Sequence, residues 1–231
     1  MSSNNAAFFE RAYTSKGPKV IYGFSRPVYH NLMGLLHGRQ FDKMGFGGMI
    51  RHTEAGMLFK WASKVPTDGT IVEIGCYGGL STSYLVRGSQ AAKAKIFSID
   101  PFNSDLEKQA DLTDDCVSLN NKPTKEIVIE RMNHLGAADR VQLIEGYSQE
   151  AVKDWDRPID FLWIDGNHDQ AYQDFIDWTP YLNKGGRVGI HDSHPRFGYP
   201  KVAEDAKRAL IDDARWTDLE HVKSIICAVK R

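Results

Sequence analysis

Five runs of mostly β-branched and other apolar residues recur along the chain, at Thr70 to Ile74, Lys95 to Ile99, Val141 to Glu145, Ile159 to Ile164 and Arg187 to Ile190. The segments between them carry a helical period instead, so the alternation predicts a parallel sheet with crossover helices. Leu58, Trp61, Ala62 and Val65 fall at i, i+3, i+4 and i+7, and Tyr172, Phe175, Ile176 and Thr179 repeat the spacing with a polar last member. Val128, Met132 and Leu135 share a third face, with Thr124 as N-cap and Gly136 as the glycine just past the end. Gly185-Gly186 reads as the end of the helix before the fifth strand. After a helix marked by Val202, Ala206, Ala209 and Leu210, the runs Asp218 to Val222 and Ile225 to Val229 stand too close for a helical crossover. They predict an antiparallel hairpin at the sheet edge, which makes seven strands in an α/β protein.

Two regions stand outside this scheme. Residues 1 to about 50 include Gly23, Gly34, Gly38, Gly45, Gly47 and Gly48 among scattered aromatics with no strong period, which predicts loops and short helices packed over the sheet. The expected division is therefore an N-terminal cap segment, 1–52, and a catalytic domain, 53–231. Asn103 to Asn121 is acid-rich and long for a connection; it reads equally as a solvated insertion and as a lid. Trp163, Trp178 and Tyr181 belong to the core by position.

Composition narrows the classes. With 231 residues, 42% of them hydrophobic, the chain can bury one good core. A formal charge of -1 gives no electrostatic basis for a nucleic-acid partner. Cys76, Cys116 and Cys227 lack the CxxC spacing of a zinc site or a disulfide framework, and a reducing cytoplasm is expected. There is no apolar leader and no run of the ~18 apolar residues needed to span a bilayer, so no membrane role is expected.

The stretch IVEIGCYGGLS, Ile71 to Ser81, reads as a strand entering a glycine turn and then a helix start, a junction that offers backbone N–H groups to a ligand. Gly75, Gly78 and Gly79 do not match the G-x-G-x-x-G spacing of a dinucleotide site, and no Gly-Lys-Ser/Thr follows as a phosphate loop requires. Glu73 ends the first strand. Asp100 ends the second, where a carboxylate can accept both hydroxyls of a ribose; by position alone it is equally a turn or cap residue beside Pro101.

The ordered set VEIGCYGG, FSIDPF, IEGYSQE, FLWIDGNHDQAYQDFIDWTPYLNKGG and VGIHDSHP resembles the class I S-adenosylmethionine-dependent methyltransferases. It is most similar to methyltransferase domain family 24, with kinship to catechol-type and macrolide-sugar O-methyltransferases. The resemblance runs from about Thr53 to the C-terminus and implies a Rossmann-like, doubly wound fold. It implies that Glu73 and Gly75 lie by the methionine part of S-adenosylmethionine, Asp100 on its ribose and Ser148 at the adenine edge, with Cys76, Tyr77, Gly78, Ser81 and Asp165 also among the cofactor-binding residues and Asp165 a catalytic candidate beside His168. It also implies a divalent metal, Mg or Mn, on Asp165 and Asp192. Relatives with catechol-like sites carry an acid where this chain has His191, and an imidazole ligand favours transition metals. Without a metal, Asp165 would cap the next helix and Asp192 would form a turn.

His168, three residues past Asp165, suits a general base, a role that a His at this offset has in similar sugar O-methyltransferases. Its alternative is an exposed loop residue bonded to Asp169. His194 is a candidate substrate contact, and Arg196, Phe197 and Tyr199 follow the fifth strand in a loop that would face the acceptor. His30, His37, His52, His134 and His221 read as ordinary surface or satisfied residues. The expected reaction is methyl transfer to a hydroxyl of a small molecule, a sugar-bearing natural product or a catechol-like ring. The rival functions are an NAD-dependent oxidoreductase and a non-catalytic nucleoside-binding protein; the sequence is compatible with a homo-oligomer.

Overall fold

The computed structural model describes residues 26–102, 124–196 and 198–231, the first five as backbone only. Helices α1 (Arg26–Lys43) and α2 (His52–Ala62) precede β1 (Thr70–Ile74). Then α3 (Leu80–Gly88) leads to β2 (Lys95–Asp100), α4 (Thr124–His134) to β3 (Val141–Glu145), and α5 (Ser148–Ala151) to β4 (Ile159–Ile164). Helix α6 (Ala171–Trp178) precedes β5 (Leu182–Ile190), α7 (Pro200–Ala206) precedes β6 (Trp216–Val222), and β7 (Ile225–Lys230) ends the sheet. The order across the sheet is β3-β2-β1-β4-β5-β7-β6. The first five strands pair in parallel, and β7 runs antiparallel to both β5 and β6. The Rossmann-like, doubly wound, mostly parallel sheet and its edge hairpin are as the sequence predicts.

Burial on both faces explains why the central strands are apolar almost throughout. Ile71, Phe161 and Trp163 point to one core with Phe41 of α1, Leu58 and Trp61 of α2, Tyr84 of α3 and Val128 of α4. Val72, Ile74, Leu162 and Ile164 point to the other, against Phe175 and Trp178 of α6 and Val202 of α7. Each such side chain contributes roughly 1.5–3 kcal/mol on leaving water, so the sheet is the rigid part on which the loops at its carboxyl ends are mounted. Gly136 (φ 63) stops α4 as expected: Ala137 N–H donates to the Met132 carbonyl and Gly136 N–H to that of Asn133.

Four local expectations shift. The N-terminal region holds an 18-residue helix, α1, rather than only short ones. Its period was hidden because Leu32, Leu35 and Leu36 are exposed while the inner face carries Gly34 and Gly38. A Cβ on Gly34 would lie 2.0 Å from the His52 carbonyl oxygen, so small residues let α1 and α2 approach closely. The buried face of α6 is Ala171, Asp174, Phe175 and Trp178, and Ile176 is exposed; the buried acid disguised the register. Gly185 and Gly186 lie within β5, at an irregularity in its pairing with β4, and Gly185 takes φ 77 there. Thr124 is the first residue of α4, one place inside the expected cap. The connection Asn103 to Asn121, the first 25 residues and Phe197 lie outside the described residues. Among those described, no helix is long and apolar enough to cross a membrane.

Candidate active site

The chain leaves β1 at Gly75 with φ 82, and a Cβ there would come within 2.3 Å of the Asp165 carbonyl oxygen. Only glycine permits that approach, which seats the turn after β1 on the exit of β4, where the strand order reverses. Tyr77 also takes a left-handed conformation, φ 47, without glycine's freedom. Asp100 holds the turn in this shape. Its Oδ2 accepts the N–H groups of Cys76 and Tyr77, both at 2.9 Å, and its Oδ1 accepts that of Phe102 at 2.8 Å. A carboxylate has about four acceptor positions, so capacity for a further donor remains.

Glu73 lies beneath the turn, fully buried. It accepts the hydroxyls of Ser81 and Ser98 at 2.6 Å and that of Thr82 at 2.7 Å. Burial pushes its carboxyl up to about 7, against the pull of those three hydrogen bonds. Ser81 is thus engaged with Glu73. Gly78, also buried, gives its carbonyl to the Arg131 guanidinium, which donates as well to Gly47 and packs on Phe46. That arginine ties the segment before α2 to the turn. At the next strand end, Gly146 N–H donates to the Asp100 carbonyl, and Ser148, opening α5, donates to Asp174 at 2.5 Å. Burial raises the Asp174 carboxyl to about 6, against the Ser148 hydrogen bond.

The ends of β4 and β5 bring together Asp165, His168, His191 and Asp192. His191 Nδ1 lies 2.8 Å from Asp165 Oδ1 and 3.3 Å from Asp192 Oδ2, and His168 Nε2 lies 3.1 Å from the same Asp192 oxygen. Burial alone would depress His191, but the charge and hydrogen bond of Asp165, joined by those of Asp192, hold it well above the ordinary imidazole value. Burial would raise Asp192, yet its bonds to His168 and His191 hold it far below the usual carboxylate range. His168 bonds Asp192 rather than its neighbour Asp169, and its ring stacks on that of Tyr199 with centroids 3.7 Å apart. Asp165 does not cap α6, whose N-cap is Gln170. Asp192 lies at a bend in the chain, with φ 51. His194 Nδ1 accepts the Arg196 N–H and its ring stacks on His221, which is buried rather than on the surface.

Ligand atoms of Asp165, His191 and Asp192 all lie within 4.8 Å of one another. Two carboxylates and an imidazole so gathered fit a divalent cation; the nitrogen inclines the set toward transition metals over Mg.

Residues 72–193, just over half of the chain, match the family model described as a methyltransferase domain. The chain belongs to that family. Solved methyltransferases share its fold at low identity. The SAH-bound methyltransferase PaMTH1 of Podospora anserina superposes with a TM-score of 0.59 at 17% identity, covering 100% of this chain and 97% of that one. The O-methyltransferase of Bacillus cereus in complex with SAH gives 0.58 at 15%, covering 85% and 90%. An rRNA methylase from Streptococcus thermophilus gives 0.50 at 15%, covering 76% and 95%. Class I methyltransferase membership, read from the five motifs, therefore stands.

Several residues of this methyltransferase were not singled out by the sequence. Ser98 had a signal: it pairs in register with Glu73, a polar pair between Val72–Phe97 and Ile74–Ile99. Thr82, Asp174 and Arg131 look like ordinary helix residues, and Glu54 and Ser224 are 170 positions apart although they touch.

Proposed function

We propose that the protein transfers the methyl group of S-adenosylmethionine to a hydroxyl of a small-molecule acceptor. One observation carries the reading: the strand order β3-β2-β1-β4-β5 lines up Ser148, Asp100, Gly75, Asp165 and His191 along one sheet edge. Adenine would sit by Ser148, a ribose hydroxyl on the remaining lone pair of Asp100, and the methionine part over the turn from Gly75 to Ser81, with Glu73 supporting it from below. The sulfonium would then lie where the turn meets Asp165, beside the histidine cluster. In the reaction the acceptor oxygen forms its bond to the methyl carbon as the carbon–sulfur bond breaks. The sulfonium becomes a neutral thioether, and the hydroxyl proton passes to His168, which Asp192 and Tyr199 orient. Asp165, His191 and Asp192 would hold a divalent metal, which when bound supplies charge to acidify the hydroxyl.

The formal charge of -1 favours a small acceptor over a nucleic acid. Residues of the N-terminal segment and the loop after β5 would select it.

The test is calorimetric titration with S-adenosylhomocysteine and, separately, with NAD. Binding of the former and silence from the latter is the expected result. Binding of NAD alone would transfer the protein to the oxidoreductases, and binding of neither would leave a fold without its cofactor.

A further inference from the structure

The first turn of α2 and the β6–β7 hairpin meet behind His191. Ser224, in the two-residue turn between Val222 and Ile225, donates its N–H (3.1 Å) and its hydroxyl (2.7 Å) to Glu54 Oε1. The Ser224 carbonyl accepts the N–H and the hydroxyl of Ser193, the residue after Asp192. That fixes the turn against the end of β5 and brings Ser224 Oγ to 3.3 Å from His191 Nε2. Glu54, Ser224 and His191 are all buried. Because the Ser224 hydroxyl proton is committed to Glu54, its oxygen faces the imidazole as an acceptor, and Nε2 carries a hydrogen. The opposite nitrogen, Nδ1, is left facing Asp165 and Asp192.

We propose that Glu54 and Ser224 are positioning residues for His191, gripping its Nε2–H edge so that Nδ1 is presented to the acidic cluster. The proposal rests on reading that cluster as the acceptor side of the site. Outer partners of this kind set the orientation of a ligating histidine, and losing one costs ~10–100-fold in metal affinity where a metal is bound. A pair that only anchored the hairpin would affect folding and leave the ring untouched.

The experiment uses the whole protein with ¹⁵N-labelled histidine rings, and Mn²⁺ as the metal probe. In the parent, His191 should show a protonated Nε2 with a protected proton signal. Ser224→Ala should lose that protection and weaken Mn²⁺ binding by ~10–100-fold, while Ser224→Thr, which keeps the hydroxyl, should restore both. Circular dichroism checks that each variant is folded. An unchanged Nε2 signal in folded Ser224→Ala, or a Ser224→Thr variant no better than Ser224→Ala, overturns the proposal. If the parent binds no Mn²⁺, the metal role of the cluster falls, and the imidazole signal alone decides the positioning role.

Discussion

The two halves of the sheet edge use their carboxylates differently. At the ends of β1 and β2, Glu73 and Asp100 are buried, and what surrounds them is the protein's own hydroxyls and backbone N–H groups. At the ends of β4 and β5, the Asp165, His168 and Asp192 side chains are 21%, 39% and 20% exposed, and they pair with histidine and carboxylate partners within one cluster. The first arrangement makes backbone shape: without Asp100 the turn loses the acceptor for two of its N–H groups. The second holds opposite charges in reach of water and of a substrate, where they can be redistributed during a reaction. Damage to the first half should therefore appear in stability and cofactor affinity, and damage to the second in turnover.

The largest effect should come from the second half. His168→Ala is expected to lower turnover by ~10²–10⁴, the loss typical of a general base, while S-adenosylhomocysteine affinity stays nearly constant. Steady-state kinetics with an identified acceptor, set beside calorimetry, would measure the split. Retention of most of the turnover at saturating substrate would take His168 out of the proton-transfer step and blur the contrast between the halves.

Asp100→Ala should act on binding and on the turn together. Loss of hydrogen bonds to a charged acceptor is expected to weaken S-adenosylhomocysteine by one to two orders of magnitude, or ~1.5–3 kcal/mol. Because Cys76 and Tyr77 N–H lose the same acceptor, the melting temperature should fall as well. Calorimetry showing unchanged affinity in a folded variant would leave Asp100 as a turn residue alone.

What the sequence made legible follows from what is local. The parallel strands, the hairpin and the glycine turn are written in runs of a few residues, and the strand-end positions of Asp100, Asp165, His191 and Asp192 follow once the strands are placed. The period of α1 was obscured because its inner face is glycine, and that of α6 because Asp174 is buried among its apolar positions. The partnerships inside the site were less legible. Nothing near Glu54 announces Ser224, and nothing near Glu73 announces its three hydroxyls except the in-register Ser98. Such contacts depend on how distant elements close over one another, which local pattern does not encode.

The smallest effect in the comparison concerns Glu73, and it is a stability effect. Its carboxyl is raised from 4.5 to about 7 in the folded protein because burial disfavours the charge. A raised folded value means that the native state keeps a proton the unfolded chain has already released. Its contribution to stability is thus complete below about 4.5 and is lost as pH rises through about 7. The total is on the order of 1–3 kcal/mol, since a tenfold difference in proton affinity between the folded and unfolded chains corresponds to about 1.4 kcal/mol and a compact unfolded state reduces the difference. Glu73→Gln removes the titration and keeps the shape, so its stability should depend less on pH over that interval. Above pH 7 the gap between parent and variant should stop changing. Urea melts of both proteins at closely spaced pH values would test this. Parallel stability curves would mean that the three hydroxyls stabilise the charge as well as water does, and that Glu73 is not held against its ordinary titration.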